Sequence, residues 1–237
     1  MKKKVVIIGA GIGGLATANL LAKAGFEVHV YEKEKRAGGR AGILKKKGFT
    51  FDTGPSWYLM PEVFEHYYEL LGESVDKQLD LQKLTPAYKV FFETTDPIVV
   101  TGNESKDRKT FENIETGAGA RLAEYIEKSN EVYQLSLKHF LYSNFEKVSE
   151  LLHLDIMKKV TRLPYLLGIS IDTYVSGFVR DKRLKQILEY PMVFLGTSPF
   201  SAPAMYSLMS ALDFRGCLLS ERRHVHHHRK FGGDRQG

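Results

Sequence analysis

The 237-residue chain is 43% hydrophobic and 11% aromatic, which excludes a disordered protein and allows one large domain or two small ones. Half of its formal net charge of +6 comes from residues 217–237, and no basic stripe interleaved with aromatic residues indicates a nucleic-acid partner. A single cysteine, Cys217, excludes an internal disulfide and is typical of a reducing compartment, so we expect a cytoplasmic protein.

A strand, a tight turn, a helix and a second strand are predicted at the start of the chain. Residues 5–8 are apolar and β-branched, residues 9–14 read G-A-G-I-G-G, and apolar residues then recur at helical spacing. A second β-branched run, residues 26–31, ends at the acid Glu32. This order is typical of the βαβ unit that opens a dinucleotide-binding fold, so we predict an α/β, Rossmann-like architecture.

The residue types of this segment suit a pyrophosphate and a ribose. Gly9 permits a tight turn, Gly11 lets the backbone approach a phosphate, and Gly14 allows the helix to pack closely on the strand. The predicted cofactor-binding residues of the turn are Gly9, Ala10, Gly11, Ile12, Gly13 and Gly14. The carboxylate of Glu32 can accept hydrogen bonds from both ribose hydroxyls and would repel a 2′-phosphate, which argues against an NADP site.

An alternative interpretation is a secretory signal, because three lysines precede the first apolar segment. Glycines occupy the positions where such a signal needs helix-forming residues, and the pattern continues into a strand. We therefore favour the dinucleotide site. This segment alone does not choose between NAD and FAD.

A glycine pair and an arginine follow Glu32. The loop of residues 33–40 ends in G-G-R, so Gly39 permits close approach to a ligand and Arg40 could form a fork onto a phosphate. The spacing from Glu32 to Gly39 and Arg40 resembles that of two-dinucleotide flavoenzymes of the amine oxidase and carotenoid desaturase kind. This resemblance implies FAD as the cofactor.

A second resemblance lies just beyond. Residues 45–51 are predicted as a strand, and Gly54 and Pro55 then mark a turn. The segment G-F-T-F-D-T-G-P-S resembles the loop by which bacterial phytoene and dehydrosqualene desaturases pass from the flavin domain toward the substrate region. We therefore add Gly54 and Pro55 to the predicted cofactor site.

The rest of the chain is predicted to be mostly helical. Helices are expected over residues 61–71, 120–142, 145–167 and 171–190. Residues 88–100 are predicted as two strands whose residues Tyr88, Val90 and Phe92 wall an apolar cavity, and the polar residues 102–110 as a loop. A membrane-interface position competes with a core position for the two middle helices, and we favour the core.

The segment Y-P-M-V-F-L-G-T-S-P-F-S-A-P-A-M-Y-S-L-M-S, residues 190–210, resembles the substrate domain of the desaturases and matches amine oxidases poorly. The resemblance covers nearly all of residues 1–216. It implies a first part of an FAD-binding domain over residues 1–85 and an inserted, partial α+β substrate domain over residues 86–216.

By this resemblance the protein is an FAD-dependent desaturase fragment that introduces double bonds into a C30 or C40 polyene in carotenoid biosynthesis. A hydrophobic polyene is the implied partner, with peripheral membrane association as an option. The resemblance assigns no catalytic side chain, and no metal site is predicted. Two alternatives stay open, namely another FAD oxidoreductase of the amine oxidase-like class and an inactive truncated product.

The last residues, 217–237, lose every pattern of the preceding chain, and we predict a non-homologous, disordered tail. With suitable synonymous codons, reading one base further turns this tail into A-V-Y-Y-P-K-G-G-M and an amphipathic helix. That product resembles the next segment of the desaturases. We therefore hypothesise a frameshift near Gly216, a fold that is incomplete at the C-terminus, and weak or no retention of FAD.

Overall fold

The computed structural model describes residues 2–142, 144, 163–214, 216 and 218–220. The described residues form two compact units, one of residues up to 83 together with 218–220, the other of residues 84–216. The strands are β1 (Lys4–Ile8), β2 (Glu27–Tyr31), β3 (Ile43–Lys46), β4 (Phe49–Asp52), β5 (Trp57–Tyr58), β6 (Leu81–Lys83), β7 (Tyr88–Val90), β8 (Ile98–Val100) and β9 (Leu218–Ser220). The helices are α1 (Ile12–Lys23), α2 (Pro61–Leu71), α3 (Val75–Gln78), α4 (Glu104–Ile114), α5 (Ala118–Ser136), α6 (Leu163–Gly168), α7 (Ile171–Ser176), α8 (Lys182–Glu189), α9 (Met192–Leu195) and α10 (Leu208–Phe214).

The first unit opens with the predicted βαβ arrangement. Strands β1 and β2 are parallel, with Lys4 opposite Glu27 and Ile8 opposite Tyr31. Helix α1 connects them and is followed by Gly25, whose φ of +90° suits a residue without a Cβ. The βαβ prediction is therefore confirmed for this part of the chain.

Strands β3 and β4 form an antiparallel hairpin, where the sequence predicted one strand over residues 45–51. Lys46 lies opposite Phe49, so the turn consists of Lys47 and Gly48 alone. Both residues have positive φ, +49° and +83°. This geometry is typical of the two-residue turns whose twist matches that of paired strands. The single-strand prediction was wrong because Lys47 adopts a conformation that usually requires glycine or asparagine.

A small core in the first unit includes a strand from the end of the described chain. Strand β9 lies between β5 and β6 and is antiparallel to both. Its first residue, Leu218, packs with other apolar side chains on the buried residues Tyr58, Tyr68, Val75 and Leu79. Leu218–Ser220, which belong to the segment predicted as a disordered tail, pair with β5 and β6 as strand β9. Residues 221–237 lie outside the described residues.

The second unit is built around helix α5. Its largest buried side chains are Val100, Phe111, Leu122, Tyr125, Tyr133, Ile171, Val175, Val179, Leu184, Ile187, Leu188 and Met192. The Tyr125 hydroxyl donates to Ser210 Oγ (3.0 Å), and Ser210 Oγ donates to the carbonyl of Leu188 (3.0 Å). A buried hydrogen-bonded chain therefore joins α5, α10 and α8.

Helix α4 replaces the loop predicted over residues 102–110. The side chain of Asn103 accepts a hydrogen bond from the Lys106 amide (3.1 Å), and the buried Asp107 accepts from the Thr101 amide (2.7 Å). Phe111 is 1% exposed and lies on the core side of the helix. The loop prediction was wrong because the sequence of α4 is mostly polar and its first buried residue, Asp107, is the fourth of the helix.

The other helix predictions agree with the structure where it describes them. Helix α2 ends at Gly72, which adopts a left-handed conformation, and α7 and α8 form the predicted helix pair. The core position predicted for the middle helix is confirmed for α5, whereas most of residues 145–167 lie outside the described residues. Within the described ranges, no helix is both long and apolar enough to span a membrane.

Candidate dinucleotide-binding site

The turn between β1 and α1 is closed by two glycines. Gly9 has a φ of +101°, and its amide donates to the carbonyl of Tyr31 at the end of β2 (2.7 Å). A Cβ on Gly14 would overlap the carbonyl oxygen of Gly9, so the helix and the turn approach more closely than any side chain allows. By contrast, a Cβ on Gly11 or Gly13 would meet no heavy atom within 4 Å.

The N-terminus of α1 is suited to an anion. In the described chain no side chain caps the helix at Gly11, and its first turn contains no acidic residue. The first amides of the helix, from Ile12 to Gly14, and the positive end of the helix dipole therefore face the space beyond the turn. Such a terminus is the usual binding place for a pyrophosphate in this fold.

Glu32 is anchored beside the turn. Its carboxylate accepts hydrogen bonds from the amide of Ala10 (2.6 Å) and from the amide of Glu34 (2.9 Å). The Glu34 and Ala10 amides hold the pKa of Glu32 below its usual value, so the carboxylate is ionised at neutral pH. A negative charge fixed at this place is suited to neutral ribose hydroxyls and opposes a 2′-phosphate.

The predicted loop at Gly39 and Arg40 does meet the turn. The amide of Gly38 donates to the carbonyl of Ala10 (2.8 Å), and Gly38 forms a parallel bridge with Gly11. A Cβ on Gly39 would lie 3.1 Å from the Cα of Gly11. Gly38 was missing from the predicted site, although its place in the glycine pair was a signal for it. Arg40 is exposed.

Gly54 and Pro55 differ in their surroundings. A Cβ on Gly54 would overlap the carbonyl oxygen of Arg40, so Gly54 supports the loop that contacts the turn. Pro55 follows it on the surface. The structure thus brings Gly54 against Arg40 and the pair Gly38–Gly39 against the turn, while Pro55 makes no comparable approach among the described contacts.

Strands β7 and β8 of the second unit pack on its buried core. Tyr88, Val90 and Phe92 are partly buried against that core, and the apolar cavity that they were expected to wall stays a prediction. One cleft beside α5 is lined in part by Glu115 and Arg121. Glu115 accepts from the amides of Arg180 and Asp181 (both 2.8 Å), which ties that carboxylate to the segment before α8.

Comparison with known proteins extends these observations. Residues 7–74 match the family model of an NAD(P)-binding Rossmann-like domain. The chain is 40% identical to a carotenoid 3,4-desaturase of Haloarcula japonica over 210 residues, which are 89% of this chain and 42% of that protein. The chain is homologous to the carotenoid desaturases.

Two further desaturases support this relationship. A zeta-carotene-forming phytoene desaturase of Myxococcus xanthus is 33% identical over 87% of this chain and 40% of its own length. A 4,4'-diapophytoene desaturase of Staphylococcus aureus is 28% identical over 89% of this chain and 41% of its own length. The resemblance predicted from the sequence is therefore confirmed. The chain spans about two fifths of the length of the curated desaturases that it matches.

Solved structures show the same fold at low sequence identity. A triple mutant of putrescine oxidase superimposes with a TM-score of 0.61 and 16% identity over 98% of this chain and 50% of that one. Cyclohexylamine oxidase from Brevibacterium oxydans gives a TM-score of 0.57 at 16% identity, with the same coverage of both chains. These likenesses show that the chain shares its fold with about half of each of these two enzymes.

Proposed function

We propose that residues 9–54 bind the ADP part of FAD, and that the protein supplies this part of a flavin-dependent desaturase. The observation that carries the proposal is the ionised Glu32, held 2.6 Å from the Ala10 amide in a chain that is homologous to carotenoid desaturases. The pyrophosphate would lie at the N-terminus of α1, and Glu32 would accept hydrogen bonds from the ribose.

The chain's own residues would bind and orient the cofactor. Gly9 and Gly14 hold the turn close to the helix, while Gly39 holds the second loop against Gly11. The exposed Arg40 would neutralise phosphate charge. When bound, FAD supplies the acceptor for the hydride that leaves a saturated carbon, and no side chain of the described residues is assigned a proton transfer.

The proposed substrate is a C30 or C40 polyene. The printed names of the matched desaturases include phytoene and 4,4'-diapophytoene, which supports this class. Because such a hydrocarbon resides in the bilayer, we propose that the protein acts from the cytoplasmic side as a peripheral membrane protein, with no nucleic-acid partner. The second candidate is amine oxidation, which the structural likeness to putrescine oxidase favours at the level of fold alone.

A chimera tests the proposal. Residues 1–214 would be joined to the C-terminal part of the Haloarcula japonica desaturase that they do not match, and the purified flavoprotein would be mixed anaerobically with each substrate. We expect phytoene or 4,4'-diapophytoene to bleach the flavin absorbance and putrescine to leave it unchanged. Bleaching by putrescine with no response to either polyene would establish the amine oxidase alternative and contradict the proposal.

The same chimera with Gly14→Ala is the control for flavin binding. A Cβ at this position would overlap the Gly9 carbonyl, so we expect the variant to be purified with little flavin. A chimera with Gly168→Ala should keep its flavin, because Gly168 lies in the second unit, outside the predicted site, and a Cβ there would meet no atom within 4 Å. Equal flavin contents in the two variants would contradict the assignment of the turn to the cofactor.

A further inference from the structure

The β3–β4 hairpin has one face of apolar and basic side chains. In its antiparallel register Leu44 lies opposite Phe51 and Lys46 lies opposite Phe49. Directly opposed residues share a face, and residues two apart on a strand share it as well. Leu44, Lys46, Phe49 and Phe51 therefore form one surface, which we call the hairpin face.

The apolar members of the hairpin face are exposed. The exposed fractions are 49% for Leu44, 68% for Phe49 and 54% for Phe51. The two phenylalanine rings are neighbours, with centroids 6.2 Å apart. A contiguous group of large apolar side chains on a surface marks an interaction site more often than scattered single residues do.

Positive charge is concentrated at the tip of the same hairpin. Lys45, Lys46 and Lys47 are all exposed, and no ion pair within the described part of the chain involves them. Asp52 is the only acidic residue of β3 and β4, and it lies at the opposite end on the other face. The hairpin thus combines an apolar aromatic face with an unneutralised basic tip.

We propose that the hairpin face docks on the surface of an anionic lipid bilayer. Phe49, Phe51 and Leu44 would enter the boundary between headgroups and acyl chains, while Lys46 and Lys47 would reach lipid phosphates. The charge favours this occupant over a second copy of the chain, because two such tips would repel each other. The inference names a surface for the membrane association proposed above, and its test needs neither flavin nor polyene.

Vesicle flotation tests the docking surface with the purified protein. We expect it to float with vesicles of phosphatidylcholine mixed with phosphatidylglycerol, to float less with phosphatidylcholine alone, and to be released by added salt. Neutralising Lys46 and Lys47 should weaken binding by about fivefold for each lysine near the surface. Replacing Phe49 and Phe51 by serine should weaken it further, since the apolar part of the contact is lost.

Matched variants identify the surface. Phe200 is 73% exposed and lies in the other unit, so Phe200→Ser is the control for Phe49→Ser. Lys2→Gln and Lys3→Gln control for loss of charge outside the hairpin. Because all these side chains are exposed, thermal unfolding of the variants should match that of the parent protein. Equal loss of binding in the controls, or no flotation at all, would overturn the proposal.

A fluorescence measurement gives a second readout. The chain has one tryptophan, Trp57, so a Phe49→Trp, Trp57→Phe protein reports the hairpin alone. We expect its emission to shift to the blue when anionic vesicles are added, because the ring leaves water. An emission that stays unshifted while vesicles are bound would overturn the proposal. A protein that binds single-stranded DNA in preference to the anionic vesicles would overturn it as well.

Discussion

Gly14 and Gly168 differ in what a methyl group would meet. A Cβ on Gly14 would overlap the Gly9 carbonyl, whereas a Cβ on Gly168 would meet no atom within 4 Å. Forcing a methyl group into a closely packed place costs about 1–3 kcal/mol. We therefore expect Gly14→Ala to weaken the binding of ADP by about tenfold or more, and Gly168→Ala, in the second unit, to leave it within about twofold, by equilibrium dialysis.

This pair of variants also separates binding from folding. If Gly14→Ala lowers the unfolding temperature and ADP affinity together, Gly168→Ala must leave both unchanged for the assignment to stand. An ADP affinity that Gly14→Ala does not alter would contradict the role of the turn.

Two buried carboxyls of the second unit predict how stability depends on pH. Burial, reinforced by the charge of Asp172, raises the pKa of Glu189 to about 7, and burial raises the pKa of Asp213 to about 7. The folded state keeps these protons where the unfolded chain has already lost them. The unfolding free energy of this unit should therefore fall as pH rises from the usual carboxyl pKa to about 7, by at most about 1.4 kcal/mol per pH unit for one group.

Urea unfolding at a series of pH values measures this dependence. Asp213→Asn and Glu189→Gln should each flatten the pH profile, since neither amide titrates. Asp76→Asn, which changes an exposed carboxyl of the first unit, should leave the profile unchanged. A profile that stays equally steep in the two buried-site variants would mean that other groups cause it.

At the scale of elements, the start of helix α2 contains a strained residue. Met60 precedes the helix with φ and ψ of 57°, a left-handed conformation that costs a non-glycine residue about 1–2 kcal/mol. At an ordinary position glycine is less stabilising than alanine by about 0.5–1 kcal/mol. Here we expect the reverse order, with Met60→Gly more stable than Met60→Ala in urea unfolding. The ordinary order would show that Met60 is not left-handed in solution.

Several elements were predictable because local sequence signals agreed with the fold. The glycine turn and the helix that begins at Pro61 are examples. Glycine is the residue type that such a tight turn requires, and proline is favoured in the first turn of a helix. Helix α4 was not predictable from its pattern, because most of its residues are polar and its buried face includes only Asp107 and Phe111. The β3–β4 turn was missed because Lys47 adopts a conformation for which lysine gives no signal.

The sequence predicts which residues form the candidate site better than it predicts the contacts between them. The sequence places Glu32 after β2, but its hydrogen bond to Ala10 and the bridge between Gly38 and Gly11 are tertiary contacts that spacing does not specify. Tyr88 shows a different limit. Its alternation with Val90 and Phe92 indicates that one face of the strand is buried, but it does not show whether the protein core or a ligand covers that face. Sequence patterns identify which side of an element is buried, and only packing shows against what.

At the scale of the whole molecule, β9 contributes to the first unit although it follows the second in sequence. The frameshift near Gly216 stays a hypothesis. Sequencing independent clones of the DNA would test it: an intact in-frame tail, with no long open frame beyond the shift, would contradict it. The expectation of weak FAD retention likewise stays a prediction.

The central claim is that residues 9–54 recognise the ADP part of FAD. Isothermal titration of the purified chain with ADP, FMN and 2′-phospho-ADP tests it most directly. ADP contains the pyrophosphate and the ribose that would contact the turn and Glu32, FMN lacks the adenosine, and the added 2′-phosphate would meet the ionised Glu32. We predict that ADP binds and that FMN and 2′-phospho-ADP bind far more weakly. Binding of FMN or of 2′-phospho-ADP as tight as that of ADP would contradict the account.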